Sequence, residues 1–157
     1  MQSVINELAT TIKTAYKQLS QITEAESVQF PALGKWSNKQ IIGHLLDSAS
    51  NNHQRFVRVQ QTDGLSMPRY EAEQWVAAQN YQNESWSELL AFWKSYNQHL
   101  LHVMANIPAE KLANTVQIGD GEPVTLGFLV EDYVAHLQQH LEQIYEATPW
   151  VRTHPAC

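Results

Sequence analysis

Seven histidines stand out in this chain, and two of them, His136 and His140, sit four residues apart in a stretch patterned as a helix. At 100° per residue their imidazoles emerge only about 40° apart around the axis and about 6 Å along it. A helical His-x-x-x-His pair of this spacing can converge on one metal ion. The same spacing suits two half-buried histidines satisfied by backbone or water, so a metal site requires a third ligand from another element. His44 is the candidate. It lies at the edge of an apolar stripe on a second predicted helix, and polar residues continue along that edge at Ser48, Asn51 and Arg55. Such a row is either the wall of a polar pocket or a boundary wetted by solvent. Three neutral imidazoles on two helices would leave coordination positions open for water or substrate, the arrangement of a catalytic site and not of a structural one.

The remaining histidines compete less well. His99 and His102 are three apart on a third predicted helix, but only His99 lies near its apolar edge; it is kept as a pocket-lining or supporting residue, and His102 is read as facing solvent. His53 falls at the opposite edge of its stripe from His44, and His154 lies in the tail after Pro149. The single cysteine, Cys157, cannot form an internal disulfide and is too near a terminus to be held as a nucleophile.

Four amphipathic segments position these residues. The first runs from Ser3 to Ile22, with Ile5, Leu8, Ile12, Ala15, Leu19 and Ile22 on one face. The second starts after Ser37 as N-cap and runs from Asn38 to about Val59, with Ile41, Ile42, Leu45, Ala49 and Phe56 inward. The third starts at Ser85, with Glu88 as a capping-box partner, and carries Leu89, Trp93, Tyr96, Leu100, Val103 and Ile107 until Pro108 closes it. The fourth is capped by Thr125 and runs to Ala147 through Leu126, Leu129, Val130, Tyr133, Leu137, Leu141 and Ile144. Residues 62–83 form a long connection with a short helix predicted over Tyr70–Ala78, and Gly119-Asp120-Gly121 reads as the tight turn of a short hairpin. Four helices with one apolar face each must bury those faces on one another, which predicts a four-helix bundle, and the long connections predict a crossover topology. The tryptophans at 36, 75, 86, 93 and 150 are read as core or edge packing, with an apolar substrate mouth as the alternative.

The composition narrows the function. A length of 157 residues with 43% hydrophobic content suits one domain, taken as 1–157, with a real core. Ten basic against sixteen acidic residues give a net charge of −6, which disfavours nucleic acid and anionic membranes as partners. No window approaches a membrane span, and Met1 leads at once into amphipathic sequence and not into a signal peptide, so a cytoplasmic protein is expected.

The residues that carry this reading also resemble a known family. Gly34-Lys35-Trp36-Ser37, then Gly43-His44-Leu45-Leu46-Asp47-Ser48, Asn51 and Arg55-Phe56 resemble the second helix of the DinB-like superfamily, most of all its branch of metal-dependent hydrolases and bacillithiol transferases. The run from Asp132 to Leu141, with Tyr133, His136 and His140, looks like the fourth helix of that family, and the Tyr70 to Trp75 stretch is also similar. The resemblance implies an all-α, DinB-like four-helix bundle holding a divalent metal, zinc or nickel, on His44, His136 and His140. It also implies a homodimer, and it does not imply DNA binding. Asp47, Asn51 and Arg55 match the branch and join His99 and Tyr133 as substrate-contacting or ligand-supporting residues.

Two function classes follow. In the first, the protein is a metal-dependent transferase or hydrolase acting on a small molecule. A low-molecular-weight thiol as cosubstrate would supply the nucleophile that this chain lacks, and Arg55 offers a planar bidentate donor for a carboxylate of that thiol. In a hydrolase, Asp47 would carry a proton or orient a neighbour. In the second, the protein is a stress-response or binding module whose metal is structural or vestigial. A helical interaction protein without metal is the remaining reading of the stripes alone.

Overall fold

Periodic apolar faces become four long helices in a computed structural model that describes residues 1–153. His154 and Cys157 lie outside the described residues. In chain order the helices are α1 (Gln2–Leu19), α2 (Glu24–Ser27), α3 (Asn38–Gln61), α4 (Ala72–Gln79), α5 (Trp86–Ala105), α6 (Leu126–Ala147) and α7 (Trp150–Thr153). The strands are β1 (Leu65–Met67), β2 (Thr115–Ile118) and β3 (Val124–Thr125). The caps do what the sequence asks of them. Ser37 accepts the Gln40 amide while the Gln40 side chain returns to the Ser37 N–H, and Thr125 accepts the amide of Phe128. Ser85 accepts the Glu88 amide, but without the reciprocal half of a capping box. The first helix stops three residues short of Ile22, because the Ser20 hydroxyl bonds the Tyr16 carbonyl and a capping box at Thr23 starts α2. Ile22 is buried all the same.

The bundle core is built from the predicted stripes. Leu8, Leu19, Ile42, Phe56, Leu89, Leu100, Leu126, Val130 and Ile144 are all removed from solvent, each worth about 1.5–3 kcal/mol of transfer free energy for a side chain of this size. Helix α3 packs on α5 and α6, and α1 packs on the same two. The consecutive long helices α1 and α3, and likewise α5 and α6, therefore sit on diagonals, and their connections cross the bundle. This is the crossover topology.

One element was not expected. The hairpin forms between β2 and β3, with Thr115 opposite Thr125 and Val116 opposite Val124, but β1 adds a parallel strand on the other side of β2, with Leu65 opposite Val116. Three residues are too few to show a period, which is why residues 65–67 read as loop. Asp63 accepts the amide and hydroxyl of Thr115, and the Gly119 amide bonds the Met67 carbonyl. At φ +58° Gly119 lies in the left-handed region, and an added Cβ would sit 3.2 Å from that of Arg69. The connection after α3 is thus tied to the loop that leads into α6.

Candidate metal centre

The α3–α6 seam brings His44, His136 and His140 together. One ring nitrogen from each lies within 4.8 Å of the others. His44 Nε2 and His136 Nε2 stand 3.3 Å apart, near the ~3.4 Å expected between two nitrogens sharing a tetrahedral zinc at ~2.1 Å. The ring of His140 meets the other two edge-on, each with centroids 4.6 Å apart. Two facing lone pairs at such a distance require a cation or a proton between them. Burial holds the imidazoles neutral: it pushes His44 down to about 3 and His136 down to about 4, with the neighbouring histidines adding to the shift, and it lowers His140 as well. At neutral pH none of the three rings carries a second proton, and with its one N–H on the outward nitrogen each turns a lone pair toward the others, an arrangement that fits a divalent ion.

The outward nitrogens have different partners, and only the Gln143 carbonyl oxygen, which must accept, sets a tautomer, at His140. His140 Nδ1 meets Gln143 Oε1 at 3.1 Å, and His136 Nδ1 meets Ser48 Oγ at 3.5 Å. A proton on each Nδ1 leaves the Nε2 lone pair for a metal. His44 Nδ1 is buried without a partner. Trp36 covers the cluster, its ring 5.0 Å from that of His44 and stacked over that of His140 at 6.4 Å. It reaches this place because it directly precedes the Ser37 cap of α3.

The row along α3 is a wall and not a wetted boundary. His44 and Ser48 are buried, and Asn52 donates to the Ser48 carbonyl and accepts from Arg55 Nη1 at 3.3 Å. Asn51 instead turns its amide to the Asp47 carbonyl, and Asn52, four residues after Ser48, holds the place in the wall. His44, Arg55 and His136 line a cavity of about 350 Å³ together with Arg69, Tyr70 and Ile118, which the β1–β2 pairing sets over its mouth. A larger groove of about 870 Å³ between α1 and α6 is lined by threonines, glutamines and alanines and gathers no cluster of metal-ligating residues. The smaller cavity is the one that His44 and His136 line.

Asp47 lies behind this wall. Its Oδ1 accepts from the Tyr81 hydroxyl at 2.6 Å and the Gln79 amide at 2.5 Å, while Oδ2 is buried without a partner, and burial raises its pKa. Tyr133 is spent in the core, donating to Asn97 Oδ1 at 2.6 Å with its ring edge-on to Phe56. His99 is exposed on α5 and meets His53, whose Nδ1 contacts the Tyr96 hydroxyl; this pair occupies the α3–α5 seam, away from the three-histidine cluster. Trp86 and Trp93 are core residues, as expected, whereas Trp36 and Tyr70 arrive at the site from loops whose patterning carries no sign of it.

The DinB superfamily matches the chain over residues 7–144, and the chain belongs to that family. Its fold is shared with YfiT from Bacillus subtilis, described as a probable metal-dependent hydrolase with an unusual four-helix bundle topology, at 20% identity and a TM-score of 0.84 over 94% of this chain and 85% of that one. The mycothiol-dependent maleylpyruvate isomerase superposes with a TM-score of 0.74 at 12% identity over 89% of this chain, which spans 58% of the isomerase. YjoA from Bacillus subtilis, a DinB-like protein, gives a TM-score of 0.67 at 15% identity over 98% of this chain and 93% of its own. No curated protein sequence matches the chain significantly. Among the described residues no helix is long and apolar enough to cross a membrane.

Proposed function

We propose that this protein is a metal-dependent enzyme acting on a small molecule, with a divalent ion, zinc or nickel, held by His44, His136 and His140. The observation that carries the reading is the gathering of three ring nitrogens within 4.8 Å of one another, with two of the histidines, His44 and His136, lining a cavity of about 350 Å³. Three protein ligands with an adjoining cavity leave room for an exchangeable partner, whereas structural zinc sites are closed by four. A divalent ion bound there supplies Lewis-acid chemistry, lowering the pKa of a water or a thiol and polarising a carbonyl or an equivalent electrophile. The protein's own residues do the rest. Gln143 fixes the His140 tautomer by accepting from its Nδ1–H, Ser48 orients the His136 ring, Trp36 screens the histidines from bulk water, and Arg55 and Tyr70 face the cavity where a substrate would lie. A low-molecular-weight thiol as cosubstrate is consistent with the mycothiol-dependent neighbour and with a chain whose one cysteine is at its end.

Elemental analysis of protein purified without chelator tests the site. About one divalent ion per chain is expected, lost in His136→Ala and in His140→Ala. It should be retained in His102→Ala, whose histidine is exposed on α5 beside Asn106. Stoichiometric metal surviving in a triple variant of all three histidines would rule this site out.

A further inference from the structure

Arg55 is buried, at 8% exposure, yet among the described residues no carboxylate lies within ion-pair distance of it. Its hydrogen bond to the protein runs to a neutral acceptor, the side-chain oxygen of Asn52, at 3.3 Å. A guanidinium carries five donors, so most of this one's capacity is unspent. Burial pulls its pKa down, while Tyr70 and Asp132, neither of them hydrogen-bonded or ion-paired to it, act the other way. Withdrawing a charge from water without a partner is among the more destabilising things a fold can do. Elsewhere in the same helix the fold avoids it: Lys39, at 2% exposure, meets the Glu24 carboxylate and the carbonyls of Gln82 and Glu84.

What distinguishes Arg55 is where it opens. Eleven residues after His44 on one helix, it lies about 20° from it around the axis and about 16 Å along it, and side chains on a helix lean toward the N-terminus, here toward His44. Both line the same cavity, and Arg69 and Tyr70 enter that cavity from the β1–α4 connection. The cavity therefore has a histidine end and a cationic end, and among the described residues the buried Arg55 has no ion-pair partner.

We propose that the Arg55 end of this cavity is an oxyanion subsite, so that the molecule acted on at the three histidines carries a carboxylate or phosphate group that Arg55 holds, with Arg69 and Tyr70 beside it. This rests on the metal reading given above. It adds a substrate class: a bifunctional small molecule with its reacting group at one end and an oxyanion at the other. A planar fork suits either oxyanion, and a point charge such as lysine would hold it less well.

Cobalt(II)-loaded protein provides the test, because thiolate binding to cobalt is read directly in the absorption spectrum, without any assay of turnover. Three series of straight-chain thiols of graded length are titrated, ending in a carboxylate, a phosphonate or a neutral hydroxyl. At the matching length the anionic thiols are expected to bind at least about tenfold tighter than the hydroxyl series, as a charge-assisted hydrogen-bonded pair commands. Whichever anion leads identifies the oxyanion. Arg55→Gln should erase the preference and Arg55→Lys should reduce it, with cobalt uptake unchanged in both. Equal affinities for charged and neutral thiols in the wild type, or a preference that survives Arg55→Gln, overturns the subsite while leaving the metal centre standing. Failure of the wild type to take up cobalt overturns both. Should Arg55→Gln not fold, Arg55→Lys carries the comparison, and an undiminished preference in that variant overturns the subsite.

Discussion

Two buried ionisable groups on one helix, Asp47 and Arg55, are held without the ion-pair partner that burial of a charge ordinarily demands. Asp47 makes do with two donors on one oxygen, the Tyr81 hydroxyl and the Gln79 amide, and leaves the other oxygen bare. Removing the hydroxyl in Tyr81→Phe should cost about 1–3 kcal/mol in urea unfolding, since it strips a buried carboxylate of a strong bond. Asp47→Asn should be close to neutral, and the pair in a double-mutant cycle should couple by more than about 0.5 kcal/mol. Arg55 leads to the opposite expectation. Arg55→Met should raise the unfolding midpoint of the metal-free protein, by about 1 kcal/mol or more in free energy, because an apolar chain of similar reach needs no counter-charge; a lower midpoint would mean that the guanidinium is already compensated. At this scale the sequence was informative about which histidines gather and silent about their surroundings. The i, i+4 pair and the polar edge of α3 pointed to His44, His136 and His140. Trp36, Tyr70 and Asn52 could not be placed in the same way: Trp36 comes from a loop, where no period exists, Tyr70 was read as the start of a short helix that begins only at Ala72, and Asn52 differs from Asn51 only by a rotation of 100° about the axis.

Helix α3 is the element on which the site depends, and its neighbours fix it from two sides. Gly43, one residue before His44, leaves the space that the Tyr81 ring fills; a Cβ there would fall 2.1 Å from Tyr81 Cδ2. Gly43→Ala should therefore destabilise the fold by about 1–3 kcal/mol, the range for overpacking a close contact, and because the displaced ring also carries the hydroxyl on Asp47, metal affinity should fall with it. Calorimetry and metal titration on one preparation would check both. On the other side, the parallel pairing of β1 with β2 holds Arg69 and Tyr70 over the cavity, and Asp63 anchors it through two bonds to Thr115. Asp63→Ala should speed amide exchange at residues 65–67 while leaving the middle of α3 as protected as before. If the strand exchanged no faster, the anchor would lie elsewhere. The long helices were legible because an apolar stripe repeated over 20 residues admits one reading, and their caps were written in Ser37, Ser85 and Thr125. The β1–β2 pairing was not, since it joins residues some 50 apart in sequence through strands of three and four residues.

For the molecule as a whole, the histidine cluster ties stability to pH, and the sign follows from burial. In the unfolded chain each of these imidazoles titrates near 6.5. In the fold His44 is held at about 3, His136 at about 4, and His140 is lowered too. Between pH 6.5 and about 4 the unfolded state therefore binds more protons than the folded one, and stability must fall as the pH falls, by about 1.4 kcal/mol per pH unit for each proton in excess. Asp47 works against this at the acid end. Its raised pKa lets the folded state take up a proton that the unfolded state still refuses above about 3.8, which offsets part of one histidine's share. The metal-free protein should accordingly lose stability as the pH falls from 7 to 5, with the lowered His53 adding to the three clustered histidines. His136→Gln should flatten the upper part of that profile by about one proton. Metal changes the reference, because an ion that binds the folded cluster alone adds about 4 kcal/mol at a thousandfold excess over its dissociation constant. Loaded protein should stay stable to a lower pH and then fail more abruptly, as protons expel the ion and charge the unfolded histidines together. Urea unfolding at pH 7, 6 and 5, with and without zinc, would measure all of this, and a flat metal-free profile would show that the three imidazoles are not held neutral by the fold.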